Sequence, residues 1–127
     1  MIDSNILIRS YLVTQEPLTN LVGTRIFCPK IPENCTLPAI SFNTRGGKSD
    51  PYNPSYVVPS VQFSCWGNTP QEARSVYGCL YDALQGLQNW GNILSVTEDV
   101  QGQDLEDPTI LNYYQVLTFF NFIIKAN

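Results

Sequence analysis

Residues 112–125 read NYYQVLTFFNFIIK, and the fold turns on that run. Side chains of an extended chain alternate between faces, so one face carries Tyr114, Val116, Thr118, Phe120, Phe122 and Ile124. The other carries Tyr113, Gln115, Leu117, Phe119, Asn121, Ile123 and Lys125. At the usual rise the run extends about 45 Å, longer than most strands, which predicts that it outreaches its sheet or bends. Both faces are substantially apolar. Two helices cover only one side of a sheet, so the second side needs another cover, most economically a second copy of the chain. A strand in the middle of a sheet gives the same pattern. Left free, FFNFII is also an aggregation hazard.

Working upstream, 92–98 reads as a strand and 99–108 (DVQGQDLEDP) as an acidic, solvated loop. The clearest helix precedes them and runs through Leu87. Thr69 as N-cap, Pro70 at the first position and Glu72 at the third match a capping box. Ala73, Val76, Tyr77, Leu80, Leu84 and Leu87 form one stripe, with Gln71, Arg74, Ser75, Asp82 and Gln85 opposite and Cys79 on the flank. Segments 39–45 and 56–66 alternate like the arms of an antiparallel hairpin, and Pro59, which cannot donate to a ladder, implies an edge or a bulge. The ten residues between, GGKSDPYNPS, read as a long exposed tip.

Residues 25–28 suit a short strand, followed by an irregular connection bracketed by Pro29, Pro32 and Pro38. Near the N-terminus, Asp3 and Ser4 can cap a helix whose inward residues would be Ile2, Ile6, Leu7, Tyr11 and Leu12. Residues 17–22 form a short helical turn that Gly23 ends. The expected fold is α+β: a mostly antiparallel, mixed sheet of about five strands, two main helices on one face, and a long β-hairpin loop. All of residues 1–127 are expected in one domain.

Composition narrows the function. Charged residues make up 14%, below the usual quarter, and aromatics 12%, so apolar surface is available for a partner. Seven Lys and Arg against eleven Asp and Glu give a net charge of −4, the wrong sign for wrapping phosphate backbones. Histidine is absent, which removes the commonest general base, the commonest zinc ligand and every Ser-His or Cys-His nucleophile. Cys28, Cys35, Cys65 and Cys79 show no CxxC spacing and read as free, buried or half-buried thiols in a reducing compartment. No secretion signal and no apolar run approaching 18 residues is present, so a soluble chain made in the cytoplasm, with no membrane role, is expected.

The adjacent acids Glu98 with Asp99 and Glu106 with Asp107 have no apolar packing to shift their pKa values, and no phosphate-cradling glycine pattern occurs. No catalytic residue, cofactor or metal is therefore expected, and the chain is not read as an enzyme. Trp66, Trp90 and the tyrosines serve core, interface or a stacking platform, and Arg25 is either a buried anchor or a surface residue.

One resemblance spans about 90 residues. Residues 18–27 (LTNLVGTRIF), Pro32, 37–42 (LPAISF), 61–66 (VQFSCW) and the helix that follows are similar, in order and spacing, to the tail-completion proteins of long-tailed bacteriophages, also called tail terminators or tail-to-head joining proteins. The proline-bearing loop with Cys35 and the acidic segment 99–108 depart from the family. The resemblance implies a structural virion protein of the tail neck, assembled in the host cytoplasm. It would form a homo-oligomeric ring, a hexamer, between the tail tube protein and the head connector or stopper protein. DNA would pass through without specific binding. On this reading Arg45, Gly46, Gly47, Lys48, Asp50 and Tyr52 are the candidate contact with a neighbouring subunit or the tube, and Asp99, Asp104, Glu106 and Asp107 the candidate lumen lining.

Overall fold

The computed structural model describes residues 2–32, 34–49, 55–106 and 113–126. Helix α1 (Ser4–Leu12) starts where Asp3 accepts the N–H groups of Asn5 (3.0 Å) and Ile6 (3.5 Å). It buries Ile8, Tyr11 and Leu12, whereas Ile6, expected inside, is 66% exposed. The reason is angular: two residues before Ile8, a side chain is turned by about 200° around the axis. Helix α2 (Glu16–Val22) carries Pro17 in its first turn and ends at Gly23 with φ 60°. Strand β1 (Ile26–Phe27) follows, and the connection to β2 (Ala39–Ser49) contains cis bonds before Pro29 and Pro38. Arg25 donates to the carbonyls of Pro38 (2.9 Å) and Leu21 (3.3 Å), which makes it an anchor for backbone rather than for an acid.

After β3 (Tyr56–Gly67), helix α3 (Pro70–Leu84) opens with Thr69 accepting the N–H of Glu72 at 3.1 Å. The Glu72 carboxylate reaches back to the N–H of Asn68 (2.9 Å), one residue earlier than a capping box requires. The helix ends three residues short of Leu87 because the chain turns at Gly86 and enters β4 (Gln88–Trp90). Strands β5 (Ile93–Glu106) and β6 (Tyr114–Lys125) complete the chain.

Six strands form one sheet in the order β1-β2-β3-β6-β5-β4, antiparallel except for the β1·β2 pair. The sixth strand is β4, three residues without β-branched side chains and hence without a sequence signature. Strand β6 lies mid-sheet, paired along its length with β3 and β5. All three helices pack on one face, over Phe42, Phe63, Phe120, Phe122, Ile124 and their neighbours. Phe63 is the hub: its ring lies 5.5 Å from Phe42, 5.7 Å from Phe120 in a T-shape, and 6.3 Å from Phe122. Each such fully buried side chain contributes about 1.5–3 kcal/mol relative to exposure.

Two segments expected as loops are strand. Gly46 to Ser49 belong to β2, and the whole acidic stretch from Asp99 to Glu106 belongs to β5. Bulges make both possible, because an extra residue lets an irregular sequence keep its ladder on either side. The β2·β3 register shifts between Thr44 and Gly47, opposite Pro59, so the bulge anticipated from that proline is present. The β5·β6 register shifts three times between Ile93 and Gln103. All four cysteines are free; Cys65 is buried, Cys35 and Cys79 half-buried, and Cys28, expected covered, is exposed. Burial pushes the Cys65 thiol up, so it stays protonated and unreactive.

Candidate assembly surface

Among the described residues no helix covers the second face of the sheet. Register puts Leu117, Phe119 and Ile123 of β6 there, with Trp66 of β3 and Val100 of β5 beside them. Arg45 from β2 reaches over the Phe119 ring, its guanidinium carbon 4.7 Å from the centroid. The Trp66 indole N–H donates to Ser41 Oγ at 3.0 Å and its ring meets Tyr113 edge-on at 6.3 Å. This face is less apolar than β6 alone predicts, because neighbouring strands contribute Asn43, Gln62, Ser64 and Thr97 to it. Only Val100 and Ile123 among its large hydrophobic residues are exposed beyond a third, at 46% and 38%.

The two edges of the sheet differ more than its faces do. On the β2 side, β1 pairs with Ile40 and Ser41 only, and no other strand lies along that side among the described residues. Arg45, Gly46, Gly47, Lys48 and Ser49 are all exposed. Gly47 has φ 144°, and a side chain there would run into the Val58 carbonyl and Pro59 Cα, so the bulge admits glycine alone. A cleft of about 300 Å³ opens beside it, lined by Ile2, Ser4, Thr44, Val57 and Pro59 among others. Asp50 and Tyr52, the remaining members of the expected contact, lie outside the described residues.

On the other side, α3 closes the outer edge of β5 with side chains. Gln85 Oε1 accepts the N–H of Glu98 at 2.7 Å, and the Tyr77 hydroxyl accepts the N–H of Gly102 at 3.1 Å while donating to Glu98 Oε2 at 2.7 Å. Arg74 donates to the Gly102 carbonyl (3.2 Å), pairs with Asp104 (3.0 Å), and stacks over the Tyr77 ring at 5.3 Å. Thr118 Oγ1, fully buried, sits 2.8 Å from both Glu98 Oε2 and the Val100 carbonyl, one proton serving one of them. Glu98 Oε1 is buried with no hydrogen-bond partner among the described residues, a local cost of about 1–3 kcal/mol. Burial and the bond to Glu98 push the Tyr77 hydroxyl pKa above its ordinary value, against the opposing pull of the Gly102 N–H and Arg74. Gly102 is where it is because a Cβ would meet Val116 at 2.7 Å and the Tyr77 ring at 2.8 Å.

Asp99 and Asp104 therefore sit on an ordered strand, Asp99 exposed and Asp104 held by Arg74; Glu106 ends that strand and Asp107 lies outside the described residues. Of the described candidates, Arg45, Gly46, Gly47 and Lys48 on β2 are separated from Asp99, Asp104 and Glu106 on β5 by β3 and β6. Sequence reasoning missed Arg74, Tyr77 and Gln85 as the edge-closing residues. Arg74 and Gln85 read as solvent-facing and Tyr77 as core, and the available signal was a lone glycine inside an acidic stretch. Among the described residues no group of three or more His, Cys, Asp or Glu side chains could hold a metal ion, and no helix is long and apolar enough to cross a membrane.

No known family model matches the sequence, and no curated protein matches it. Among solved structures the fold is similar to a chain from the virion of a native gene transfer agent particle, with a TM-score of 0.67 and 14% identity over 93% of this chain and 94% of that one.

Proposed function

We propose that this chain is a structural virion protein, one 127-residue domain without bond-making chemistry, that forms a ring at the head-proximal end of a phage tail tube. The ring, of about six copies, stops tube growth and offers a docking face to the head connector. The observation that carries this reading is a shared fold over nearly the full length of both chains with a component of a virion. The motif order read at 18–87, laid out as α2, β1, β2, β3 and α3, supports the tail-completion assignment within that class.

Six copies at −4 carry about −24, a field that keeps DNA phosphates from adhering while the genome passes. Asp99, Asp104, Glu106 and Asp107 are one candidate lining for such a bore, with the charge of Asp104 offset by Arg74. The test is addition of the purified chain to growing tail tubes, followed by negative-stain imaging. Rings at one end of tubes that stop elongating are expected. Tubes that grow on uncapped in its presence would remove the terminator role, and binding at another site on the virion would make it a different neck or minor tail protein.

A further inference from the structure

We infer that copies of this chain meet head to tail across opposite edges of their sheets, the basic β1–β2 edge of one copy against the acidic α3–β5 side of the next. The inference rests on the ring proposed above and specifies its seam. Residues 24–49, which contain β1 and β2, hold four cations, Arg25, Lys30, Arg45 and Lys48, against one acid, Glu33. Residues 70–106, which contain α3, β4 and β5, hold six acids against one cation, Arg74. The strand order puts β2 and β5 on opposite flanks of the sheet, while α3 lies across β3, β6 and β5 and brings Asp82 beside Gln101 of β5.

Three strand spacings separate β2 from β5, about 14 Å, which exceeds a Debye length of about 8–10 Å at physiological salt. The two charges therefore do not neutralise each other within one copy. A two-fold dimer made through either edge would set like charges against like, Lys30 and Lys48 facing their own counterparts or Asp82 and Asp99 facing theirs. Pairing opposite edges makes the contact attractive, and a contact between unlike surfaces repeats from copy to copy, closing into a ring when its rotation divides a full turn.

The backbone favours the same arrangement. Among the described residues no strand lies on the outer side of β2 beyond Ser41, and 45–49 are exposed, although α1 meets this side through Asn5 at Thr44 and Arg9 at the Ile26 carbonyl; the β5 backbone already has side chains of α3 on its N–H groups at Glu98 and Gly102. Two β5 edges cannot zip together without breaking those bonds. The acidic side thus meets its neighbour through side chains, with exposed Asp82 and Asp99 opposite exposed Lys30 and Lys48.

The experiment uses the full chain in three forms: Lys30→Glu with Lys48→Glu, Asp82→Lys with Asp99→Lys, and all four together, each checked for native circular dichroism. Sedimentation at about 0.05 M and 0.5 M salt reads self-association. The wild type is expected to associate and to weaken at high salt. Each two-site variant should lose at least tenfold in association, and the four-site variant, or an equimolar mixture of the two-site variants, should regain it. Rings that form equally well with either edge reversed would overturn the seam and leave the ring standing, as would rings in which reversal at Asp99 changes only DNA passage. A two-fold dimer of the wild type would overturn the seam too. A wild type that neither self-associates nor caps tubes would remove both readings.

Discussion

The two bulged strands at the flanks of the sheet, β2 and β5, reach the same end by different means. Each admits an irregular stretch into a ladder, and each holds a glycine where a side chain would collide. At Gly47 the obstacle is backbone, the Val58 carbonyl and Pro59 of the partner strand, so the bulge is a property of the β2·β3 hairpin itself. At Gly102 the obstacle is side chains, Tyr77 from α3 and Val116 from β6, so the shape of β5 is imposed from outside the strand. A bulge built by its own hairpin leaves the outer edge free for another chain. A strand shaped by a helix has its outer edge taken.

The contrast breaks hardest at Gly47. Gly47→Ala sets a methyl group against backbone that cannot rotate away and should cost about 3–4 kcal/mol, read as a lower urea midpoint. Gly102→Ala meets side chains that can shift, and should cost about 2 kcal/mol with loss of the Tyr77 bonds to Glu98 and Gly102. An order reversed between these two would mean that the β5 edge, not the β2 bulge, is the rigid one. Tyr77→Phe removes one hydroxyl that serves two partners and should cost about 1–2 kcal/mol.

The same residue gives a pH test. The Tyr77 pKa is raised in the fold, so its contribution is complete below the unfolded tyrosine value of 10.0 and is lost as pH climbs through the higher folded value. Alkaline destabilisation should therefore be shallower in Tyr77→Phe than in the wild type, measured by thermal melts between about pH 9 and 11. Smallest of all, Arg74→Ala removes an exposed ion pair and a ring stack and should cost about 0.5–1 kcal/mol, while amide exchange at Gly102 speeds up.

Local chemistry made much of this fold legible. Asp3 and Thr69 cap the helices they were expected to cap, Pro59 marks a bulge, Gly23 ends α2, and the alternation in β6 separates its two faces, the structure burying the one that carries Val116, Thr118, Phe120, Phe122 and Ile124. What failed had its cause elsewhere in the chain. The acidic stretch at 99–106 looks like loop on every local criterion, yet it pairs with β6, and the N–H and carbonyl of Gly102 are met by Tyr77 and Arg74 of α3. β4 is too short and too polar to announce itself, and exists because β5 offers it a partner.

Of the candidate site, the residues were legible and their arrangement was not. The sequence by itself determined which segments could bury a face, that no histidine chemistry is available, and how many charges of each sign the chain carries. It also determined where the charges lie along the chain. Only the tertiary structure decided that β2 and β5 sit on opposite flanks of one sheet, because strand order depends on pairings between residues far apart in sequence. The same long-range pairing decided which sheet edge α3 meets with its side chains and which carries no further strand among the described residues, since an N–H group is satisfied or left open by whatever the fold brings beside it.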